Sequence, residues 1–227
     1  MSGTAPLRVM LVDDHAVVRA GYRALLETDP RFVVVAEAGD GESAYARARD
    51  GDLDVLVMDL SMPGQGGLAA AAHIAQRDAK PRLLIFTMHA HPSYAVQAFA
   101  AGALGFVTKS SPPETLLEAI ASVARGQRYL SADIAQLLAW ERFGSAHGRL
   151  DSLSVREFEV LRLLLAARTV EDIARDLKLS VKTVRNLHYA IKRKLEVRDD
   201  IELVRLALRL EVVDLVDFAA PEGGVRL

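Results

Sequence analysis

The chain has no cysteine, which excludes a disulfide framework, a thiolate metal site and a cysteine nucleophile. That absence fits a reducing, cytoplasmic setting. No apolar run approaches the roughly 20 residues that a membrane span needs. The opening MSGTAPLRVMLVDDH has no basic segment followed by a long apolar stretch, so no signal peptide is expected. Internal repeats and low-complexity segments are missing as well. So is any large charge excess: 28 Lys and Arg stand against 30 Asp and Glu, a formal net charge of −2. Overall charge therefore does not argue for a nucleic-acid partner, although averages conceal local patches. With 51% hydrophobic and 26% charged residues, 227 residues suffice for one large globular core or two ordinary ones.

What is present divides the chain in two. Up to about residue 125, short runs rich in Val, Leu, Ile and Phe alternate with amphipathic stretches. The runs are Leu7–Val12, Phe32–Glu37, Val55–Asp59, Leu83–Thr87 and Leu104–Val107, nearly continuous in apolar residues as strands covered on both faces must be. Between them, Ala16–Glu27, Gly41–Arg49, Leu68–Arg77, Pro92–Ala101 and Pro113–Ala124 read as helices. The spacing predicts an α/β doubly wound (βα)5 domain over residues 5–125. Residues 126–150 change character, with a short helical piece around Ala132–Trp140 and then Gly144, Ser145 and Gly148, and read as a linker. From 151 to 218 only helical periodicity appears: Val155–Ala166, Val170–Asp176, Val181–Leu195 and Asp199–Arg209. An all-α domain is expected there, followed by a tail over 219–227.

In a doubly wound sheet the ligand site lies beyond the carboxyl ends of the strands. Asp13 and Asp14 follow the first strand, Asp59 ends the third, Thr87 ends the fourth and Lys109 follows the fifth. Asp59 stands in VLVMDLSMPG, after an apolar run and before an abrupt turn at Met62-Pro63-Gly64. An acid there must be solvated, paired, metal-bound or chemically used. Each of these residues alone reads as a strand-end cap or a surface charge. Together, converging carboxylates repel one another unless a cation intervenes, and a hard divalent ion such as Mg2+ suits oxygen donors. Beside Mg2+, Asp59 becomes a nucleophile toward phosphorus, with Lys109 and Thr87 placed to meet the phosphoryl oxygens. His15, His73, His89 and His91 do not combine with an acid on one helical face, so a transition-metal site is not expected from them.

VDDH (12–15), VLVMDLSMPG (55–64), IFTMH (85–89) and GALGFVTKS (102–110) closely resemble the receiver domain of two-component response regulators. The resemblance implies that Asp59 accepts a phosphoryl group from a sensor histidine kinase. It also implies that Asp14 and Asp59 hold Mg2+ directly, that Ser61 adds its backbone carbonyl, and that Asp13 assists through water. Phe106 falls at the family's switch aromatic, which turns inward as Thr87 moves toward the phosphoryl group. One departure is Gly66-Gly67, where relatives often carry Asp or Asn after the turn; it is expected to loosen the loop without removing a ligand.

The second domain contains SVKTVRNLHYAIKRKL, residues 180–195. Val184, Leu187, Ile191 and Leu195 form one apolar stripe, and Lys182, Arg185, Asn186, Tyr189, Lys192 and Arg193 occupy the other side. A preceding helix ends just before it, which makes a helix-turn-helix candidate; a charged outer face is otherwise simply a solvated one. LSVREFEVLRLLL (153–165), DIARDLKLSVKTVR (172–185) and KRKLEV (192–197) resemble the C-terminal domain of the NarL/LuxR (FixJ) class of response regulators. Departures are Val170, Glu171 and Asp172 for the usual Asn, Lys and Glu, Leu187 for a common His, and Glu196 for the usual Gly. Residues 126–139, Tyr189 and residues 199–214 resemble the GacA/UvrY subgroup, whose members act as global switches largely through small regulatory RNAs. The resemblance implies promoter DNA as partner, with Lys182, Thr183, Arg185, Asn186, Tyr189, Lys192 and Arg193 at the interface, and a homodimer when phosphorylated. Two alternatives share the chemistry. A regulator could bind DNA without phosphorylation, or the site could be a Mg2+-dependent phosphatase of the haloacid dehalogenase type. The latter places its nucleophile on the first strand with a second acid two residues on, whereas here Asp59 ends the third and is followed by Ser61.

Overall fold

A computed structural model describes residues 5–62, 67–76, 81–141 and 147–210. The turn at Pro63-Gly64, Gly66, the linker residues Gly144 and Ser145, and the 219–227 tail lie outside the described residues. The chain forms two compact units that divide between Trp140 and Glu141.

In the first unit the apolar runs become β1 (Leu7–Val12), β2 (Phe32–Ala38), β3 (Val55–Met58), β4 (Arg82–Thr87) and β5 (Gly105–Thr108). The helices between them are α1 (Ala16–Glu27), α2 (Gly41–Arg47), α3 (Gly67–Ala75), α4 (Pro92–Ala100) and α5 (Pro113–Ala124). A sixth strand, β6 (Tyr129–Leu130), pairs parallel with β5, and α6 (Ala132–Glu141) follows it. All pairings are parallel and the strand order is β2-β1-β3-β4-β5-β6. The α/β doubly wound class is therefore realised, with one strand more than the periodicity predicts. That strand and α6 fall within the 126–150 span read as a linker with a short helix, and the strand and α6 up to Trp140 group with the first unit. A two-residue strand has no alternation to detect. It forms because Tyr129 N and Ser131 N donate to Leu104 O and Phe106 O.

The core explains the continuity of the apolar runs. Every residue of β3 and β5 is buried. Val9, Leu11, Val57, Leu84 and Val107 pack on Ile120 and Val123 of α5 and on Leu26 of α1. Asp40 caps α2 by accepting the Ser43 amide hydrogen. His15 stands at the N-cap of α1 without a side-chain capping bond, because its ring is engaged elsewhere.

Among its described residues the second unit has helices and no strand: α7 (Val155–Leu165), α8 (Val170–Asp176), α9 (Val181–Leu195) and α10 (Asp200–Arg209). Ser154, Thr169, Ser180 and Asp199 each cap the helix they precede, through a bond from the backbone N–H three residues on. Glu196 ends α9 at φ 56°. This is the left-handed position that glycine fills without penalty, and a side chain there costs about 1–2 kcal/mol. Glu157 completes a capping box with Ser154 and also accepts Lys194 Nζ at 2.6 Å, tying α7 to α9. Burial opposes the charge on Glu157, but Lys194 and the Ser154 groups outweigh it and hold its carboxyl below its ordinary value near 4.5. A carboxyl lowered in this way stabilises the fold fully above that ordinary value, and the contribution is lost as pH falls through the folded value. Glu157→Gln should therefore weaken this unit by about 1–3 kcal/mol at neutral pH, and the difference should vanish in acid. Hydrogen exchange of α7 and α9 amides in the full chain, measured across pH, checks both expectations.

Candidate functional site

The parallel sheet brings the carboxyl ends of its strands to one rim, and there the acids and the lysine meet. Asp13 and Asp59 are 5% and 2% exposed. Lys109 Nζ donates to Asp13 Oδ2 and to Asp59 Oδ2, each at 2.6 Å. Burial works against the ammonium, but the bonds to Asp13 and then Asp59 prevail and raise its pKa. Asp59 Oδ1 is held by the backbone N–H groups of Leu60 (2.6 Å) and Ser61 (3.1 Å). Asp13 Oδ1 accepts the His15 amide at 2.8 Å. Thr87 is fully buried; its carbonyl accepts Lys109 N at 2.8 Å, and its hydroxyl lies 3.4 Å from His89 N. Phe106 is fully buried within β5.

Asp14 is the outermost acid, its Oδ1 2.8 Å from His15 Nδ1. Ligating atoms of Asp13, Asp14 and His15 all lie within 4.8 Å of one another. Asp13, Asp14 and Asp59 against the single Lys109 leave two negative charges, which one divalent cation would balance. The donors are hard oxygens, the set Mg2+ prefers, so the residues present fit such an ion. Of the other histidines, His89 is stacked on Tyr94 with centroids 4.3 Å apart, and its Nε2 is 3.1 Å from Ser61 Oγ. His91 caps α4 and His73 packs edge-on to Tyr45.

In α9 the stripe is buried at Val184, Ile191 and Leu195, with Leu187 half-buried. Lys182, Thr183, Arg185, Asn186, Tyr189 and Arg193 are exposed, Tyr189 to 70%. Three of the named residues have intramolecular ties, one of them the ion pair of the Arg185 guanidinium with Glu171 Oε1 on α8 at 3.6 Å. Thr183 Oγ1 is 2.8 Å from Ser180 Oγ in the cap, and Lys192 Nζ donates to Asp200 Oδ1 at 3.0 Å. His188 Nε2 also lies 2.8 Å from Asp200. Asp200 thus holds one cation of the basic helix in an ion pair on the same unit.

Residues that the sequence does not advertise complete the rim. Arg19 on α1 donates to the Asp13 carbonyl oxygen and to Glu37 Oε2 (2.7 Å), bracing the chain that carries the acids. Tyr22 packs edge-on against Phe86 with centroids 4.6 Å apart, in the cleft lined by Asp13 and Asp59. An arginine and a tyrosine on an amphipathic helix carry no signal that separates them from a solvated face. Gly67 is more informative. A Cβ there would stand 2.5 Å from Asp59 O and 2.7 Å from Leu60 Cα. The second glycine of the pair therefore lets α3 approach the backbone of Asp59 closely, a tightening contact where loosening is expected from the sequence. Gly67→Ala should displace the Asp59 backbone and destabilise the first unit by about 1–3 kcal/mol, measurable by denaturant unfolding of the full chain.

Residues 9–121 match the response regulator receiver domain family, and residues 151–207 match the luxR family of bacterial regulatory proteins. The chain is 38% identical to the response regulator UvrY of Escherichia coli, over 89% of this chain and 94% of that one. It is 36% identical to the response regulator GacA of Pseudomonas aeruginosa, over 92% and 98% respectively. Among solved structures, RcsB from Salmonella enterica serovar Typhimurium, bound to a promoter in the presence of the phosphomimetic BeF3−, is 29% identical with a TM-score of 0.72, covering 91% of this chain and 99% of that one. With a receiver domain match, a luxR-family match and relatives of this kind along nearly the whole chain, the protein belongs to the two-component response regulators of the NarL/LuxR class.

Proposed function

We propose that Asp59 is the phosphoacceptor of this regulator, that a sensor histidine kinase supplies the phosphoryl group, and that the modification switches dimerisation and promoter binding through α9. The observation that carries this reading is the buried Asp59 carboxylate sharing the Lys109 ammonium with Asp13, at 2.6 Å on each side. Asp14, Asp59 and the Ser61 carbonyl would hold Mg2+, with Asp13 assisting through water. When bound, the ion neutralises the incoming phosphoryl oxygens. The Asp59 carboxylate forms the new P–O bond as the P–N bond of a phosphohistidine breaks, and the electron pair returns to the imidazole nitrogen. Lys109 exchanges its Asp59 contact for a phosphoryl oxygen, and the Thr87 hydroxyl turns from the His89 amide to donate to another. Phosphorylation adds about −1.5 to −2 charges at neutral pH, enough to rearrange a surface poised between two states. Catalysis is confined to the chain's own aspartyl phosphate.

Purified full-length protein incubated with acetyl phosphate and Mg2+ should gain one phosphoryl group by mass, and chelation of Mg2+ should prevent it. Asp59→Asn should gain none; equal labelling of that variant would falsify the assignment. In the second unit, the exposed face of α9 divides its work. Lys182 suits a phosphate contact, so Lys182→Ala should weaken binding on all sequences and lower the salt slope by about one. Arg185, Asn186 and Tyr189 are exposed on α9 and would read base edges. Arg185→Ala should relax the preference at one base pair by about 1–3 kcal/mol. Footprinting on a DNA fragment selected by the protein from a random pool reads both. Equal selectivity of the two variants would remove the distinction.

A further inference from the structure

Strand β5 carries Phe106 within it and Lys109 at its end. The segment that leads on toward the second unit is fastened at three points to this same strand and the residue that precedes it. Tyr129 N donates to Leu104 O at 2.9 Å, and Ser131 N donates to Phe106 O at 3.0 Å. The third point is a side-chain contact: Thr108 Oγ1 donates to Asp133 Oδ2 at 2.6 Å. Thr108 is fully buried, and its hydroxyl also meets Ser111 Oγ at 2.9 Å and Ser110 Oγ at 3.0 Å. Strand alternation puts Phe106 and Thr108 on one face of β5, so the buried aromatic and the latch share a side of the sheet. Asp133 lies in the first turn of α6. Few of the described side chains of that helix are buried. Ile134 is the only buried residue among its described side chains, while Leu137 and Trp140 are 43% and 67% exposed. A charge-assisted bond of this length therefore contributes a large share of what fixes α6 to the sheet.

We infer that the Thr108–Asp133 hydrogen bond transmits the state of the Asp59 pocket to α6, and through it to the chain leading to the DNA-binding unit, with Asp133 acting as a positioning residue. The inference rests on Asp59 being the phosphoacceptor. Lys109 Nζ is bound by two carboxylates, and a phosphoryl group on Asp59 replaces one of those contacts. The backbone that must follow Lys109 includes Thr108, its immediate neighbour. A short hydrogen bond tolerates little displacement, so movement at the end of β5 either drags the first turn of α6 with it or breaks the latch. Either outcome makes β5 a two-state element that the pocket and the output segment both bias, which is the physical requirement for coupling.

Hydrogen exchange on the full-length protein, with and without beryllofluoride and Mg2+, tests this directly. In the wild type, amides in the pocket segments around Asp59 and Lys109 and amides of α6 should both change on addition. In Thr108→Val and in Asp133→Ala, the pocket response should persist while the α6 response falls by at least about fivefold, the lower end of typical coupling between sites. Asp133 is exposed, so its truncation leaves the core closed while removing the Thr108 bond together with the local bonds from Ser131 and the Ile134 amide, which Thr108→Val leaves in place. Thr108→Ser, which keeps the hydroxyl, should restore the response. An α6 response that survives in both truncations, or a serine variant that behaves like valine, overturns the latch. A wild type whose pocket responds while α6 stays silent overturns it too and leaves the phosphoacceptor reading intact. No change in either region removes both.

Discussion

A single lysine ammonium shared between two buried carboxylates is the constraint on which this molecule turns. Asp13 and Asp59 are buried and repel each other, and Lys109 bridges both at 2.6 Å, offsetting one of their two charges. In sequence the lysine is 96 residues from one acid and 50 from the other. Only a fold that brings the ends of β1, β3 and β5 to one rim makes the contact. The parallel sheet does so because right-handed crossovers return every strand in the same direction. Strand β4 lies between β3 and β5, a separation of about 10 Å, so the group that bridges it must be long and flexible. Thr87, ending β4, occupies the intervening position. The residue types at the rim follow from that geometry.

Much of this is legible in the sequence, because the relevant signals are local. A strand buried on both faces is nearly all Val, Leu, Ile and Met, and the polar residue that ends it stands out; Asp13, Asp59, Thr87 and Lys109 are found in that way. The bounds of α1, α5, α8 and α9 follow from apolar periodicity. What escapes is whatever depends on partners distant in the chain. Strand β6 is too short to alternate and exists through hydrogen bonds to β5. Asp133 looks like any acid in a first helical turn until Thr108, 25 residues earlier, is seen to donate to it. Gly67 reads as a loosening residue, and only the approach of α3 to the Asp59 carbonyl shows that the missing side chain makes room for packing. Likewise, nothing in SVKTVRNLHYAIKRKL announces that Lys192 is paired with Asp200 on the next helix.

The two units solve the same problem by different means. In the first, the charge at the rim is left incompletely balanced, three acids to one lysine, which suits a site built to receive a cation and an anionic group. The opposite end of the sheet is internally neutralised: Asp52 accepts both Arg8 and Arg47, and those contacts keep its carboxyl far below the ordinary carboxylate range. In the second, Glu157 is satisfied from three directions and joins α7 to α9, so the helix that presents the basic face is anchored near its C-terminal end by an ion pair on its reverse side. Specific chemistry is kept at the surfaces that need it, and the remaining charges are spent on holding elements in register.

The short sixth strand has a consequence for solubility. Without it, β5 would be the border of the sheet, a wholly buried run of Gly-Phe-Val-Thr whose free backbone groups would invite strand addition from another molecule. Two residues of β6 occupy that border, after which Ser131 and the first turn of α6 draw the chain out of strand geometry. The new border is too short to act as a template for edge-to-edge pairing. The segment that leads on to the second unit therefore also shields the border of the sheet, and changes that release it expose that border.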